Sequence, residues 1–590
     1  MPLIGTAGHV DHGKSTLIKR LTGRETDRWA EEQERGLTID LGFAWADLGD
    51  GTEVSFVDVP GHDRFIKNML AGIEAIDVAL FVVAADEGWM PQSEEHLAVL
   101  HLLGVDAAVV ALTKADRVDH DLIELATLEI EEHLEGSTIE GAPIVPVSAH
   151  TGDGIEDLIG ALRSALAAVP DPPGGDARLW VDRSFSVPGA GTVVTGTLVS
   201  GRLSVGDELM LYPSGSQVRV RGIQSHERDL ESIGAGFRVA ANLSGIDRTE
   251  VSRGEMLATP RRWVPTERFA ATIHPARYVD ELTNRGAYHL HLGSGSWPVR
   301  IRMVSDALTL IDVPDGIAVR AGDRFILRDA GRRLVVGGGR VVDPSPPRAK
   351  RLTPDIVARL TSSLEGSADD RATVLLDLRA MDEVDRLAAH TGGSPQGAVT
   401  AAGVALSPER ARSLSQRLST VVGDYHRDNP LRAGPGVAEL AEQLGVPQAV
   451  LVALAMEEPA LDVDGSILVA DGFSVEFDAR QRADLDTAIA ALEAAGPLAV
   501  PRVTELGLDR ELLHAAIREG ELVRVSDEFV YLPTQIDVLT AGIRAFEEPF
   551  GVSEFKDVVG LSRKYAVPFL EWADDRGLTV RMGDKRRRRE

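Results

Sequence analysis

The run Gly8-His9-Val10-Asp11-His12-Gly13-Lys14-Ser15 follows the apolar stretch Pro2-Leu3-Ile4-Gly5-Thr6-Ala7 and precedes the helical stretch Thr16-Leu17-Ile18-Lys19-Arg20-Leu21. A Gly-x-x-x-x-Gly-Lys-Ser motif between a strand and a helix is the setting a phosphate-cradling loop requires, which commits this part of the chain to an α/β sheet. The glycines let backbone N–H groups turn toward phosphates and the helix start adds a favourable dipole. Lys14 reaches the outer phosphates and the Ser15 hydroxyl is available to magnesium. Residues 8–16, ending at Thr16, are therefore the phosphate-binding candidates, but they leave the base unread.

Four further segments arrive in the order a guanine-nucleotide site needs. Asp58-Val59-Pro60-Gly61-His62 follows a strand-like run, which places Asp58 to hold magnesium through water and the Gly61 amide near the γ-phosphate. Thr113-Lys114-Ala115-Asp116 follows another, and the Asp116 carboxylate can accept two hydrogen bonds that guanine supplies and adenine cannot. Ser148-Ala149 contacts the same base. Arg35-Gly36-Leu37-Thr38 provides Thr38 as a magnesium ligand in a segment able to order and disorder with the γ-phosphate. Together they specify GTP and GDP, with Mg2+ at Ser15, Thr38 and Asp58.

The rest of the chain is read from its punctuation. At 590 residues several domains are expected. Residues 1–172 alternate apolar runs (54–58, 78–83, 107–112, 144–147) with helical stretches, the pattern of a doubly wound parallel sheet. After the linker at 169–175 come short strands rich in Val, Thr and Arg, such as Gly191-Thr192-Val193-Val194-Thr195-Gly196-Thr197-Leu198-Val199, expected to form two antiparallel barrels, 177–262 and 263–345. A second proline cluster, Asp343-Pro344-Ser345-Pro346-Pro347, opens a helix-rich segment in which helices precede short hairpins. That order predicts winged-helix units: two in 346–475, one in 476–535 and one in 536–590.

The sequence has no cysteine, which excludes disulfides, thiolate metal sites and a cysteine nucleophile and leaves oxygen-ligated magnesium as the expected metal. It has no apolar run of ~18 residues to span a membrane, and its start leaves no room for a signal peptide, so a cytoplasmic protein is expected. The net charge of -29 repels nucleic acid over the surface as a whole, so any RNA contact needs a local basic patch. Residues 550–590 hold ten Lys/Arg against seven Asp/Glu. That end of the chain is such a patch.

The GHVDHGKS loop and the Asp58-Val59-Pro60-Gly61-His62 motif resemble those of the translational GTPases. The resemblance implies that His62 orients the attacking water and that Val10 and Leu37 form an apolar gate holding His62 back until the ribosome triggers hydrolysis. Thr113 departs from the Asn usual at the third motif, which removes an amide linking the base to the phosphate loop.

Three features resemble the selenocysteine-specific elongation factor family more closely than its relatives with a G domain and two barrels. The first is the length of chain beyond the barrels. The second is 181–196, in which Asp182 and Arg183, with Arg238, match positions lining the family's aminoacyl pocket. Guanidiniums there favour an anionic selenolate over a neutral serine or cysteine side chain. The alternative is a surface ion pair between Asp182 and Arg183. The third is 555–574 followed by 581–589, similar to the family's last winged helix, which grips an mRNA hairpin marking a recoded UGA codon. Ser562 is placed to cap a helix beginning at Arg563 and Lys564. With Arg581, Lys585 and Arg586 these are the RNA-contact candidates, the alternative for 585–589 being a disordered tail. The resemblance implies selenocysteinyl-tRNA, the ribosome and the hairpin as partners of a monomer. A general aminoacyl-tRNA carrier, an initiation-type factor, or a regulatory GTPase with a protein-interaction tail are the competing readings.

Overall fold

The structure, a computed structural model, describes residues 3–25, 42–49, 51, 53–59, 76–170 and 174–589. The chain forms two compact units, Met1–Ser407 and Pro408–Glu590, a division that falls inside the 346–475 segment. Among the described residues no single helix is long and apolar enough to cross a membrane.

The first unit opens with a six-stranded sheet of order β2-β3-β1-β4-β5-β6, made of β1 (Leu3–Gly8), β2 (Gly42–Asp47), β3 (Glu53–Asp58), β4 (Val78–Ala84), β5 (Ala108–Thr113) and β6 (Ile144–Pro146). Strands β1, β4 and β5 are buried along their whole length, as expected of strands covered on both faces. One face packs Ile4, Phe56 and Leu80 against α1 (Lys14–Thr22) and α4 (Ile155–Ala167) through Leu17, Leu158 and Leu162. The other packs Val57, Phe81 and Val110 against α2 (Pro91–Leu103) and α3 (His120–Leu134) through Leu97, Leu100 and Ile130. One strand departs from the all-parallel expectation: β2 runs antiparallel to β3. The Asp47 carboxylate accepts from Gly49 N (2.7 Å) and Gly51 N (3.0 Å), which turns the chain straight back so that β2 and β3 form a hairpin at the sheet edge.

Two six-stranded antiparallel barrels follow. The first closes by pairing Glu208–Tyr212 with Gln217–Ser225, and the second is a closed ring from Pro265–Pro275 to Val335–Asp343. Along Gln217–Ser225 buried residues alternate with exposed ones for most of the strand, the pattern of a barrel whose interior is filled with side chains. Arg178 of the first barrel meets Asp323 of the second with two 2.8 Å hydrogen bonds. The G domain touches the second barrel through Arg277, whose guanidinium donates to His133 O (2.8 Å) and Glu135 O (2.9 Å). The unit ends with helices Pro354–Ser362, Ala368–Arg379 and Val384–Thr391 and a three-stranded sheet, packed on the second barrel through Leu308, Leu310 and Val342.

The second unit repeats one order three times: two or three helices, then a two-stranded hairpin. The hairpins are Leu461–Asp464 with Ile467–Ala470, Val523–Arg524 with Val530–Tyr531, and Thr579–Met582 with Lys585–Arg588. This is the winged-helix arrangement anticipated from helices that precede short hairpins.

Candidate functional site

The phosphate loop leaves β1 at Gly8, whose φ of +124° and close approach to β4 exclude a side chain: a Cβ there would lie 2.1 Å from Val82 O. Gly13, at φ +88°, begins α1. Between them the loop is held from behind by two side chains of α2. His96 Nδ1 accepts from Gly8 N (2.9 Å) and Gln92 Oε1 accepts from Val10 N (2.9 Å). Neither residue belongs to a motif, though their spacing of four puts both on one helix face. The Lys14 ammonium lies against the carbonyls of His9 (2.6 Å) and Gly8 (3.1 Å), and burial pulls its pKa down to about 8.

At the end of β3, Asp58 is fully buried. Its carboxylate accepts from Thr6 Oγ1 (2.9 Å) and from Ser15 Oγ (2.5 Å), so two of the three expected magnesium residues are in contact. Thr38, Leu37, Gly61 and His62 lie outside the described residues, and with them the apolar gate. Val10 is on the loop as expected.

The residues expected on the base side lie at the end of β5 and just beyond it, with Ser148 in reach of Asp116. Thr113 ends β5 and donates its hydroxyl to His12 O in the phosphate loop (2.7 Å). Thr113 has no amide to join the base to the loop, but its hydroxyl ties the end of β5 to the loop carbonyl. Asp116 is exposed on the turn Ala115–Arg117 and its carboxyl is held below the usual range, chiefly by the Ser148 hydroxyl. Ala149 is half-buried beside it, and Lys114 lies between Asp86 (3.3 Å) and Glu87 (2.5 Å). Thr113→Val keeps the volume but strands the buried His12 carbonyl, a loss of ~1–3 kcal/mol. Calorimetric titration is expected to show GTP and GDP both weakened by roughly tenfold, with the preference for guanine unchanged.

His12, His96 and His390 are buried in neutral form. Burial pushes His96 down to about 3 and His12 and His390 to about 4. Below their ordinary value near 6.5 the unfolded chain takes up protons that the folded chain refuses, so stability is full above that pH and falls as pH drops toward 4. For His96 the structural cost is explicit, since a proton on Nδ1 would displace Gly8 N. Urea midpoints measured from pH 7.5 down to 4.5 are expected to decline steadily.

A second site lies where the first barrel meets β2. The strand Arg178–Val187 carries a register irregularity between Val181 and Arg183, a bulge that re-aims Asp182. Asp182 receives both Arg238 Nη1 and Nη2 (the latter at 3.0 Å) and Thr195 Oγ1 (2.7 Å). The Arg238 guanidinium lies 3.7 Å from the centroid of the Phe43 ring. Asp182 is thus paired to Arg238, across the barrel strands. Thr195 and Phe43 were not legible as site residues, since each acts through a partner distant in sequence.

The C-terminal candidates divide. Ser562 occupies the N-cap position of Arg563–Asp575 but makes no side-chain capping bond. Arg563, Arg581 and Lys585 are exposed. Lys564 lies over the rings of Tyr565 (5.0 Å) and Phe529 (5.2 Å). The 585–589 run is no disordered tail: Lys585–Arg588 is a hairpin strand. Arg586 is not an RNA contact here, because it is buried and its Nε donates to Asp574 Oδ2 (2.7 Å). Strand alternation turns it inward while Lys585 and Arg587 face out.

Comparison with known proteins matches this architecture segment by segment. Residues 1–168 match the elongation factor Tu GTP binding domain, 191–258 elongation factor Tu domain 2, 267–348 the selenocysteine-specific elongation factor beta-barrel domain and 544–588 the elongation factor SelB winged helix. The selenocysteine-specific elongation factor of Desulfomicrobium baculatum is 36% identical with 100% of both chains covered. That of Escherichia coli (strain K12) is 34% identical over 99% of this chain and 98% of its own. The crystal structure of a bacterial selenocysteine-specific elongation factor, EF-Sec, superposes with a TM-score of 0.77 at 29% identity, covering 100% of both chains. A guanine-nucleotide fold, two barrels and serial winged helices in one chain, aligned end to end with these relatives, make this protein a translational GTPase belonging to the selenocysteine-specific elongation factor family.

Proposed function

We propose that the chain carries selenocysteinyl-tRNA, in its GTP form, to ribosomes paused at UGA codons marked by an mRNA hairpin, and that it works as a cytoplasmic monomer. In this reading residues 8–16 bind the phosphates, with Lys14 neutralising them. Asp116, Ser148, Ala149, Thr113 and Lys114 form the base side, and His62 with Val10 and Leu37 governs the attacking water. The domain limits are those read from the sequence.

Ser15 and Asp58 suit a hard divalent cation: both offer oxygen, they are already in contact, and one carboxylate with a hydroxyl leaves room for phosphate and water ligands. They would hold magnesium with Thr38. Bound there, the metal would neutralise charge on the β- and γ-phosphates. The chain's own part is to fix Asp58 by way of Thr6 and to keep Lys14 buried.

The observation that supports the choice of aminoacyl group is the bulge at Asp182, the sequence neighbour of Arg183, whose carboxylate meets Arg238. An anionic side chain would be drawn to the guanidinium charge there, and a neutral serine would gain no such attraction. The test is equilibrium binding of the GTP form to selenocysteinyl-tRNA and to its seryl-tRNA precursor. Selenocysteinyl-tRNA should bind ~10²-fold tighter or more, and equal affinities would overturn the reading. For the hairpin, Arg563→Ala with Lys564→Ala should weaken binding of the host selenoprotein mRNA and flatten its salt dependence. Unchanged binding would remove the RNA role of this helix.

A further inference from the structure

The last turn of α2 packs on the second barrel and on the helix that follows it, Pro354–Ser362, and these elements enclose a cavity of about 200 Å3. Gly338, on the strand Val335–Asp343, allows the approach: a Cβ there would lie 3.1 Å from Leu102 Cβ and 2.6 Å from Phe325 O. The cavity is lined by His101 from α2, by Thr272 and His274 from the strand Pro265–Pro275, by Arg324 and Arg340 from the strands Arg324–Asp329 and Val335–Asp343, and by Glu365. Two imidazoles and two guanidiniums thus face one carboxylate, in a chain whose net charge is -29.

That carboxylate is a weak counter-charge. The Glu365 side chain is 84% exposed and meets Arg340 Nη1 at 3.2 Å, an ion pair that solvent screens. Arg340 Nη2 donates to Leu364 O, and the Arg340 backbone N–H donates to Thr272 Oγ1 at 3.3 Å. Arg340 Nε and His101 Nδ1 are buried, and among the described residues neither has a hydrogen-bond partner. Arg324 packs so closely on Gly104, the residue that ends α2, that a Cβ there would fall 2.4 Å from its Nη1. Burial, and then the Arg340 charge, hold Arg324 below the ordinary arginine range, with Glu365 and Asp106 acting the other way. Burial, and then the charges of Arg277 and His274, hold His101 below the ordinary histidine range.

Docking of the G domain on the barrel therefore gathers like charges and buries polar nitrogens without partners, two features that ordinarily cost stability. One ligand class answers both. A tetrahedral oxyanion brings negative charge and several acceptors in one compact group, and the planar fork of an arginine matches it. The size of the cavity, below the ~300–1,000 Å3 of sites for drug-sized ligands, suits such an ion and not a nucleotide.

We propose that this cavity is an anion site for free phosphate, held by Arg324 and Arg340 together with His101 and His274 at the seam between the G domain and the second barrel. It is separate from the nucleotide site and independent of which tRNA the protein carries. The ion fastens one end of α2 to the barrel, while Gln92 and His96 on the same helix seat the phosphate loop.

The test is equilibrium dialysis of the full chain against radiolabelled inorganic phosphate, with the nucleotide site saturated by GDP. One phosphate per chain is expected, with Kd below ~1 mM. Arg324→Gln, and separately His101→Gln with His274→Gln, should each weaken it by about tenfold to a hundredfold, the loss of a charge-assisted hydrogen bond. Arg219→Gln, exposed on the first barrel, should leave it unchanged. Crystals of the wild-type chain soaked in tungstate, a tetrahedral dianion, carry the test should a cavity variant not fold: an anomalous peak is expected between His101 and Arg340. No binding at millimolar phosphate, binding that survives both cavity variants, or tungstate only at other places overturns the proposal. Glycerol phosphate that competes better than phosphate itself overturns the assignment to the free ion.

Discussion

Asp116→Asn should exchange the base that this protein accepts. Guanine presents its ring N–H and its amino group, both donors, to the carboxylate proposed to receive them, and each charge-assisted bond contributes about 1.5–3 kcal/mol. An asparagine amide offers one acceptor and one donor, so its NH2 group opposes the guanine amino group. Xanthine has a carbonyl at that position and matches the amide. With one such bond lost and a donor opposed to a donor, GTP affinity should fall by ~3 kcal/mol, about a hundredfold. Xanthosine triphosphate should become the better ligand. The substitution leaves the phosphate loop untouched, because Asp116 lies on an exposed turn where its partner is the Ser148 hydroxyl, and the hydrogen bond to His12 O is made by Thr113. Competition between the two triphosphates for a fluorescent guanine nucleotide decides the matter. A variant that still prefers GTP would show that Asp116 does not read the base.

The second large effect concerns folding. Arg379 joins the helical segment after the second barrel to the barrel itself, donating to Asp343 Oδ1 (2.6 Å) and to Asp382 Oδ2 (2.6 Å). Those carboxylates are 3% and 1% exposed. Burial raises the Asp343 carboxyl above its usual range; burial pushes Asp382 the same way, but its hydrogen bonds from Arg379 and Arg386 prevail and leave it lowered. Arg379→Met keeps much of the stem and removes the charge, which leaves buried Asp343 with the Ser345 N–H but without the Arg379 counter-charge, while Arg386 still serves Asp382. Breaking a buried pair from one side costs ~3–5 kcal/mol. The loss is local to the junction, so it should appear as hydrogen exchange at Leu375, Leu376 and Leu387 accelerated by ~10²–10³-fold if these amides open with the segment. Adding Asp343→Asn should recover part of it, because a neutral amide is less costly to bury than an unpaired carboxylate. Unaltered exchange would mean that apolar packing through Leu352, Leu360 and Leu364 holds the junction by itself.

The parts that could be read from the chain alone were those whose geometry is local. A glycine loop between a strand and a helix carries its own instructions, because Gly8 and Gly13 take backbone conformations that other residues resist. The same holds for the turn that displays Asp116, and for the helix and hairpin order of the winged units. Expectations drawn from composition and charge runs fared less evenly. The basic run 585–589 marks a wing strand, but a strand alternates its faces, so Arg586 goes inward to Asp574 while its neighbours face out.

Linear order thus determined the guanine-nucleotide fold of this protein and its succession of sheet, barrels and winged helices, since each motif is encoded within a few consecutive positions. Tertiary structure decided what supports them. It seated Gln92 and His96 behind the phosphate loop, let Thr113 keep the loop attached to the base side, and set Phe43 under Arg238. Each of those contacts joins residues 82 or more positions apart, such as Val10 with Gln92 or Phe43 with Arg238. Separations of that size are closed by packing of sheets and barrels, and no local pattern records which side chains will then meet.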